Sequence, residues 1–148
     1  MDESKNFTIQ CEKWLGFEKT GLTKDEVLRI IDAVVIAHCS KVSIGLACGV
    51  RAAIRGMAEL GVERNKRQVR FAKVKSNYCF GQAIEIACAI PAIKGDLEFE
   101  LYMQPDGELT LYGNGKTVAI RMMDRSFSDA QEVFDAEDSE VFAEVLVK

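Results

Sequence analysis

The stretch Gly113-Asn114-Gly115-Lys116-Thr117 has the residue types of a loop that cradles phosphates. Such a loop follows the pattern Gly-x-x-x-x-Gly-Lys-Ser/Thr and opens a helix, because backbone N–H groups and a helix N-terminus must converge on the anion. Here the place of the first glycine is held by Thr110, and the loop is followed by Val118, Ile120 and Met122 alternating with Ala119 and Arg121. That alternation is a strand pattern. Asn114-Gly115 between two alternating runs predicts a type I′ hairpin turn with Lys116 at the surface.

A second candidate is the basic segment 64–75. It carries Arg64, Lys66, Arg67, Arg70, Lys73 and Lys75, with Phe71 among them and Tyr78 just beyond. Cations there can neutralise phosphates while an aromatic ring stacks on a base, as required for a nucleotide or a short single strand of nucleic acid. The same residues also suit a solvated strand edge that resists aggregation. A third reading pairs them with acidic partners. From Arg51 to Lys75 there are eight basic residues against two acids, and from Asp124 to Lys148 eight acids against two basic residues, in a chain of 148 residues with net charge −4. The chain is therefore polarised in charge from its middle to its end.

The remaining reactive side chains form no catalytic set. His38 is the one histidine and falls on the apolar stripe of a helix, where it reads as a core-edge residue. Cys39 follows it directly, and adjacent helical residues point about 100° apart, so the two do not make a Cys–His couple. Only the tertiary fold could bring Cys79 or Cys88 to His38. The five cysteines include no Cys-x-x-Cys pair, and Cys39, Cys48 and Cys88 sit among apolar residues, as buried thiols of a reducing cytoplasm do. Glu98 and Glu100 share one strand face, which suits solubility. No metal site, cofactor or catalytic residue is expected, and no nucleophile elbow, zincin helix, dinucleotide fingerprint or calcium loop is present.

Elements that would position these residues can be read from the same chain. Thr23 and Glu26 form a capping box before Val27, Ile30, Ile31, Val34, Val35 and His38, which predicts a helix from about Lys24 to Cys39. A second helix is predicted from about Ser43 to Leu60, stopped by Gly61. The run from Asn77 to Pro91 puts large residues on one parity and small ones on the other, which suits a strand, while its alanine content leaves a helix open. Alternation at Leu97–Met103, Leu109–Tyr112 and Val118–Met122 predicts an antiparallel meander. Ser128 to Gln131 suggests another capping box, opening one or two short acidic helices, with the last residues as an alternative strand. The resulting expectation is one α+β domain over 1–148: two N-terminal helices packed on an antiparallel meander of four to five strands, closed by a short acidic helical segment.

Within the second helix Gly45, Gly49 and Ala53 lie four apart and Gly56 extends the strip. Each interior glycine costs about 1 kcal/mol of helix propensity, which close approach of another backbone can offset. This strip is the expected self-association surface. The sequence points to a soluble, cytoplasmic, non-catalytic binding or adaptor protein that acts through contacts with itself and with a protein partner. The alternative is a nucleotide or single-stranded nucleic-acid binder using Arg64, Lys66, Arg67, Arg70, Phe71, Lys73 and Tyr78. No run of apolar residues is long enough to span a bilayer, so no membrane partner is expected.

Overall fold

A computed structural model describes residues 7–37, 41–90 and 95–148 of the chain. Helix α1 (Lys24–Ala37) begins where Thr23 Oγ1 accepts a hydrogen bond from the Glu26 amide at 3.2 Å. It buries Val27, Ile30, Ile31 and Val34 along one stripe, as the helical period requires. Helix α2 (Ile44–Leu60) is capped by Ser43, whose side chain accepts from the Leu46 amide, and it ends at Gly61 with φ 70°. Both helices lie where the periodicity places them.

The segment after Asn77 does not form the expected strand. Tyr78–Ala87 is a helix, α3, opened by Asn77 Oδ1 accepting from the Phe80 amide at 2.9 Å. Its buried residues include Phe80, Ala83, Ile84 and Ala87, a helical spacing that the alternation of large and small residues obscured. The small residues serve helix packing instead. A Cβ on Gly49 would lie 2.7 Å from the Phe80 carbonyl oxygen and 2.7 Å from Ala83 Cβ, so α2 and α3 touch nearly backbone to backbone.

Five strands form one sheet: β1 (Val69–Ser76), β2 (Leu97–Leu101), β3 (Glu108–Gly113), β4 (Lys116–Met122) and β5 (Phe142–Val147), in the order β2-β1-β3-β4-β5. The sheet is mixed and not the purely antiparallel meander expected. β1 and β2 pair in parallel, with α3 as the crossover between them, because a helix inserted between two neighbouring strands returns the chain in its original direction. The β1–β3, β3–β4 and β4–β5 pairs are antiparallel. At the β3–β4 turn Asn114 and Gly115 have φ 53° and 70°, the signature of the type I′ hairpin.

Among the described residues, helices cover one face of the sheet. Val74, Leu109, Leu111, Val118 and Ile120 are buried there, α2 and α3 pack against that side of the sheet, and α1 packs on α2 and α3. The two-helix layer over the sheet is thus α2 with α3, not the two N-terminal helices. Phe71, Lys73, Lys75, Thr110 and Tyr112 alternate with the buried set and lie on the open face.

At the C-terminal side Asp129, not Ser128, is the N-cap, accepting from the Glu132 amide at 2.8 Å. It opens α4 (Ala130–Asp135), followed by α5 (Asp138–Val141), and the chain then enters β5. The acidic segment is locked to α2 by Arg51, which is 1% exposed. Its guanidinium donates to the carbonyls of Val133 at 2.6 Å and Ala136 at 2.7 Å and to Asp138 Oδ1 at 2.6 Å. Trp14 lies under the same group, with the guanidinium carbon 4.6 Å from the ring, and its Nε1 donates to the Phe134 carbonyl at 3.1 Å. Arg55 donates to the second oxygen of Asp138 at 2.6 Å and to Glu59 at 2.9 Å.

Removing one partner of a buried ion pair leaves an uncompensated charge. Asp138→Ala is expected to lower the unfolding free energy by about 3–5 kcal/mol in urea denaturation, whereas Glu59→Ala, at the wetter end of the same network, costs about 1 kcal/mol or less. Equal, small losses in both variants would show that Arg51 is satisfied by the two carbonyls alone.

Candidate functional site

A cavity of about 210 Å³ opens at the end of the sheet where α2 and α3 begin. Ile44, Gly45 and Cys48 reach it from α2, and Ser76, Asn77 and Phe80 from the end of β1 and the start of α3. Met103, Gln104 and Pro105, between β2 and β3, form one wall, and the segment from Met122 to Phe127 forms another. The glycine at 45 is required by proximity, because a Cβ there would collide with the side-chain oxygen of Asn77. The two helix starts therefore face the same space.

Its electrostatics follow from that convergence. Each α-helix carries about half a positive charge at its N-terminus, where the first-turn amides have no intrahelical acceptor. Ser43 and Asn77 satisfy the Leu46 and Phe80 amides and leave Ile44, Gly45, Tyr78 and Cys79 without an acceptor in their own helices. Ser76 lies on the helix-covered side of β1 and is 4% exposed. It lines the cavity, and its Oγ also lies beside Gly107, where an added Cβ would stand 2.9 Å from it. Arg125 stands at the rim, its guanidinium carbon 4.2 Å from the Phe127 ring centre and its Nη2 3.0 Å from Glu132. Phe80, Phe127 and the methionines 103, 122 and 123 give the lining an apolar, adaptable part, with Gln104 and Ser126 as further polar groups.

No activated nucleophile faces this space. Burial pushes the Cys48 thiol up to about 12, and burial does the same to Cys11 and Cys88. These thiols stay protonated near neutrality and behave as small apolar groups, as the sequence suggested for Cys48 and Cys88. His38 and Cys39 lie outside the described residues. Among the described residues no cluster of His, Cys, Asp and Glu is arranged to hold a metal ion, and no helix is long and apolar enough to cross a membrane.

The residues of the basic segment are dispersed. Arg64 lies at the far end of α3 and donates from Nη2 to the Ile86 carbonyl at 3.1 Å. Lys66 pairs with Glu63 at 2.7 Å, and Arg67 adopts φ 50° in the same turn. Arg70 is exposed in β1. Phe71 lies on the open sheet face, 5.5 Å from the Tyr112 ring. Lys73 shares that face with Glu98, 4.0 Å away. Tyr78, at the start of α3, stacks on Phe99 at 5.2 Å. Phe71 and Lys73 share the open sheet face, and Arg64 and Arg67 line one shallow depression at the far end of α3. Along the strip of α2, Gly49, Ala53 and Gly56 are buried and Gly45 is partly exposed, and a Cβ on Gly56 would meet Leu111 Cδ1 at 2.5 Å.

Sequence reasoning missed Ser76 and the cavity around it. The legible signal was the Asn77 cap, which places a helix start beside the one announced by Ser43. No known protein-family model matches the chain, and no curated protein matches it.

The thiol chemistry can be checked directly. Cys11, Cys48 and Cys88 are expected to resist a disulfide reagent at pH 8 in the native protein and to react once it is unfolded. Above the ordinary thiol value of 9.0 the unfolded chain loses protons that these folded thiols hold to about 12. Stability is therefore unaffected below that value and falls as pH rises through the interval, by on the order of 1.4 kcal/mol per pH unit for each thiol.

Proposed function

We propose that the protein is a non-catalytic binding protein whose ligand is a small molecule with an anionic group and a compact apolar body, held between the starts of α2 and α3. The observation that carries this reading is the cavity on which the starts of α2 and α3 converge, with Ser76 of β1 in its lining. Free first-turn amides favour negative charge. Apolar walls with a few convergent polar groups are the usual composition of a ligand site. At about 210 Å³ the cavity is smaller than pockets for drug-sized molecules, which sizes its occupant to a small acid. Protonated Cys48 and the lack of a base among the described lining residues favour binding over turnover.

The alternative of a nucleotide or single-stranded nucleic acid draws support from one observation, the Phe71–Tyr112 pair on the uncovered sheet face. Aromatic rings on an open sheet can stack bases. The cations beside them are diluted by Glu98, Glu100 and Glu108, which line the same shallow groove with Lys73 and Lys75. An oligonucleotide bound there would be released by salt and by Lys73→Gln together with Lys75→Gln.

The test of the pocket uses hexanoate and benzoate beside their neutral amides, followed by backbone amide shifts in the native protein. The acids are expected to move the signals of Gly45, Ser76 and Asn77, and the amides to bind at least about 10-fold more weakly. Ser76→Ala should weaken acid binding by about 10-fold without loss of fold. Acids and amides that bind alike, or acids that leave those three signals unmoved, would overturn the reading.

A further inference from the structure

The two edges of the sheet are built differently. β2 closes one side and carries Glu98 and Glu100, both exposed on the open face. Two-fold antiparallel pairings of β2 with itself centred on Glu98, Phe99 or Glu100 set glutamate against glutamate, a common protection of edge strands. β5 closes the other side with the sequence Phe142-Ala143-Glu144-Val145-Leu146-Val147, with no proline and with Leu146 47% and Val147 43% exposed. Its hydrogen-bonding direction is fixed by Lys148 and Thr117, which exchange both N–H···O bonds at 2.8 and 2.9 Å. Ladder alternation then turns Leu146 and Glu144 toward β4 and leaves the N–H and C=O groups of Val145 and Val147 facing outward.

We infer that β5 is a self-association edge, pairing antiparallel with β5 of a second copy of this chain to continue the sheet across a two-fold axis. Centring the pair on Leu146 brings Val145 opposite Val147 of the second copy, and the reciprocal pair with it, so that the outward groups of both residues are satisfied. In the same register Glu144 faces Lys148 of the second copy twice, and the two Leu146 side chains meet on the open face. These are non-hydrogen-bonded positions, where side chains of opposing residues come closest and opposite charges contribute most. The strand is thus complementary to itself in hydrogen bonding, charge and apolar surface, where β2 is self-repelling. The interface is isologous, as a closed dimer demands. It places self-association on β5 in place of the glycine strip of α2, and it is independent of the pocket.

A single edge strand gives a small contact, so the dimer belongs to the weak class and is sought from about 10 μM to about 1 mM. Sedimentation equilibrium of the full chain is expected to show dimers that strengthen with concentration. Glu144→Lys and Lys148→Glu, each setting like charges across the axis, should each weaken the dimer at least about 10-fold, and the two together should restore it. Val145→Pro removes an outward N–H without touching the β4 ladder and should leave a monomer with native circular dichroism. Should that variant fold poorly, the exposed charge pair still decides. A monomer across the whole range, or a dimer indifferent to both charge reversals, would overturn the inference.

Discussion

The fold hangs on one buried cation. Arg51, in the middle of α2, holds together segments that the sheet alone would leave loose: Trp14 from the N-terminal side, and the carbonyls of Val133 and Ala136 with the carboxylate of Asp138 from the C-terminal side. A guanidinium so buried is costly unless its charge is matched and its donors are used. Burial pulls the Arg51 pKa down while Asp138 opposes the shift. The planar fork suits this place in a way a lysine would not, because it can bind carbonyls and a carboxylate in one plane while an indole covers its face. Where α4 and α5 sit, and therefore where β5 enters the sheet, follows from that anchor.

Close packing of α2 supplies the second constraint. Gly49 admits the backbone of α3, and Gly56 admits Leu111 from the sheet. Near the start of the helix Gly45 lets Asn77 approach, so the two helix origins share one side of the molecule. That convergence makes the cavity: glycine at 45 removes the bulk that would separate two positive helix ends, and Ser76 at the end of β1 lines the space beside them. The opposite end of α3 is chemically complementary, since Arg64 donates there to the Ile86 carbonyl near the negative pole of the dipole. The basic segment is thus partly structural, serving a helix end.

Much of this architecture was legible because it is local. Thr23, Ser43 and Gly61 announce helix boundaries through capping bonds made within a few residues, and Asn114-Gly115 announces its hairpin through backbone angles that few residues tolerate. The error at Tyr78–Ala87 has a physical source. Residues small enough to let two helices touch also alternate with large ones, so a period of two overlaid a period of 3.6, and the Asn77 cap was the tie-breaker. Misreading that helix as a strand also hid the parallel β1–β2 pair, whose crossover it forms. The cavity was not legible because its walls come from four distant stretches, and a serine at the end of a strand carries no signal until its neighbours are known. The opposed charge blocks were legible as composition, but their contacts are selective: Arg51 and Arg55 meet Asp138, while Arg64 turns to a carbonyl.

The sheet's two faces and two edges then divide the molecule by chemistry. Under the helices the covered face is continuous with the apolar core, while the open face is a balanced field of Lys73 and Lys75 against Glu98, Glu100 and Glu108, with Phe71 and Tyr112 at one end. A balanced field neither steers a polyanion strongly nor repels a second protein. Specific recognition must therefore come from places where the balance breaks. Among the described residues it breaks at the start of α2 and α3, where free amides outnumber acceptors, and along β5, where outward backbone groups are flanked by one acid and one base. The first favours a small anion and the second a strand of matching charge order. The two proposed sites, one for a small anion and one for a second copy of the chain, share no group.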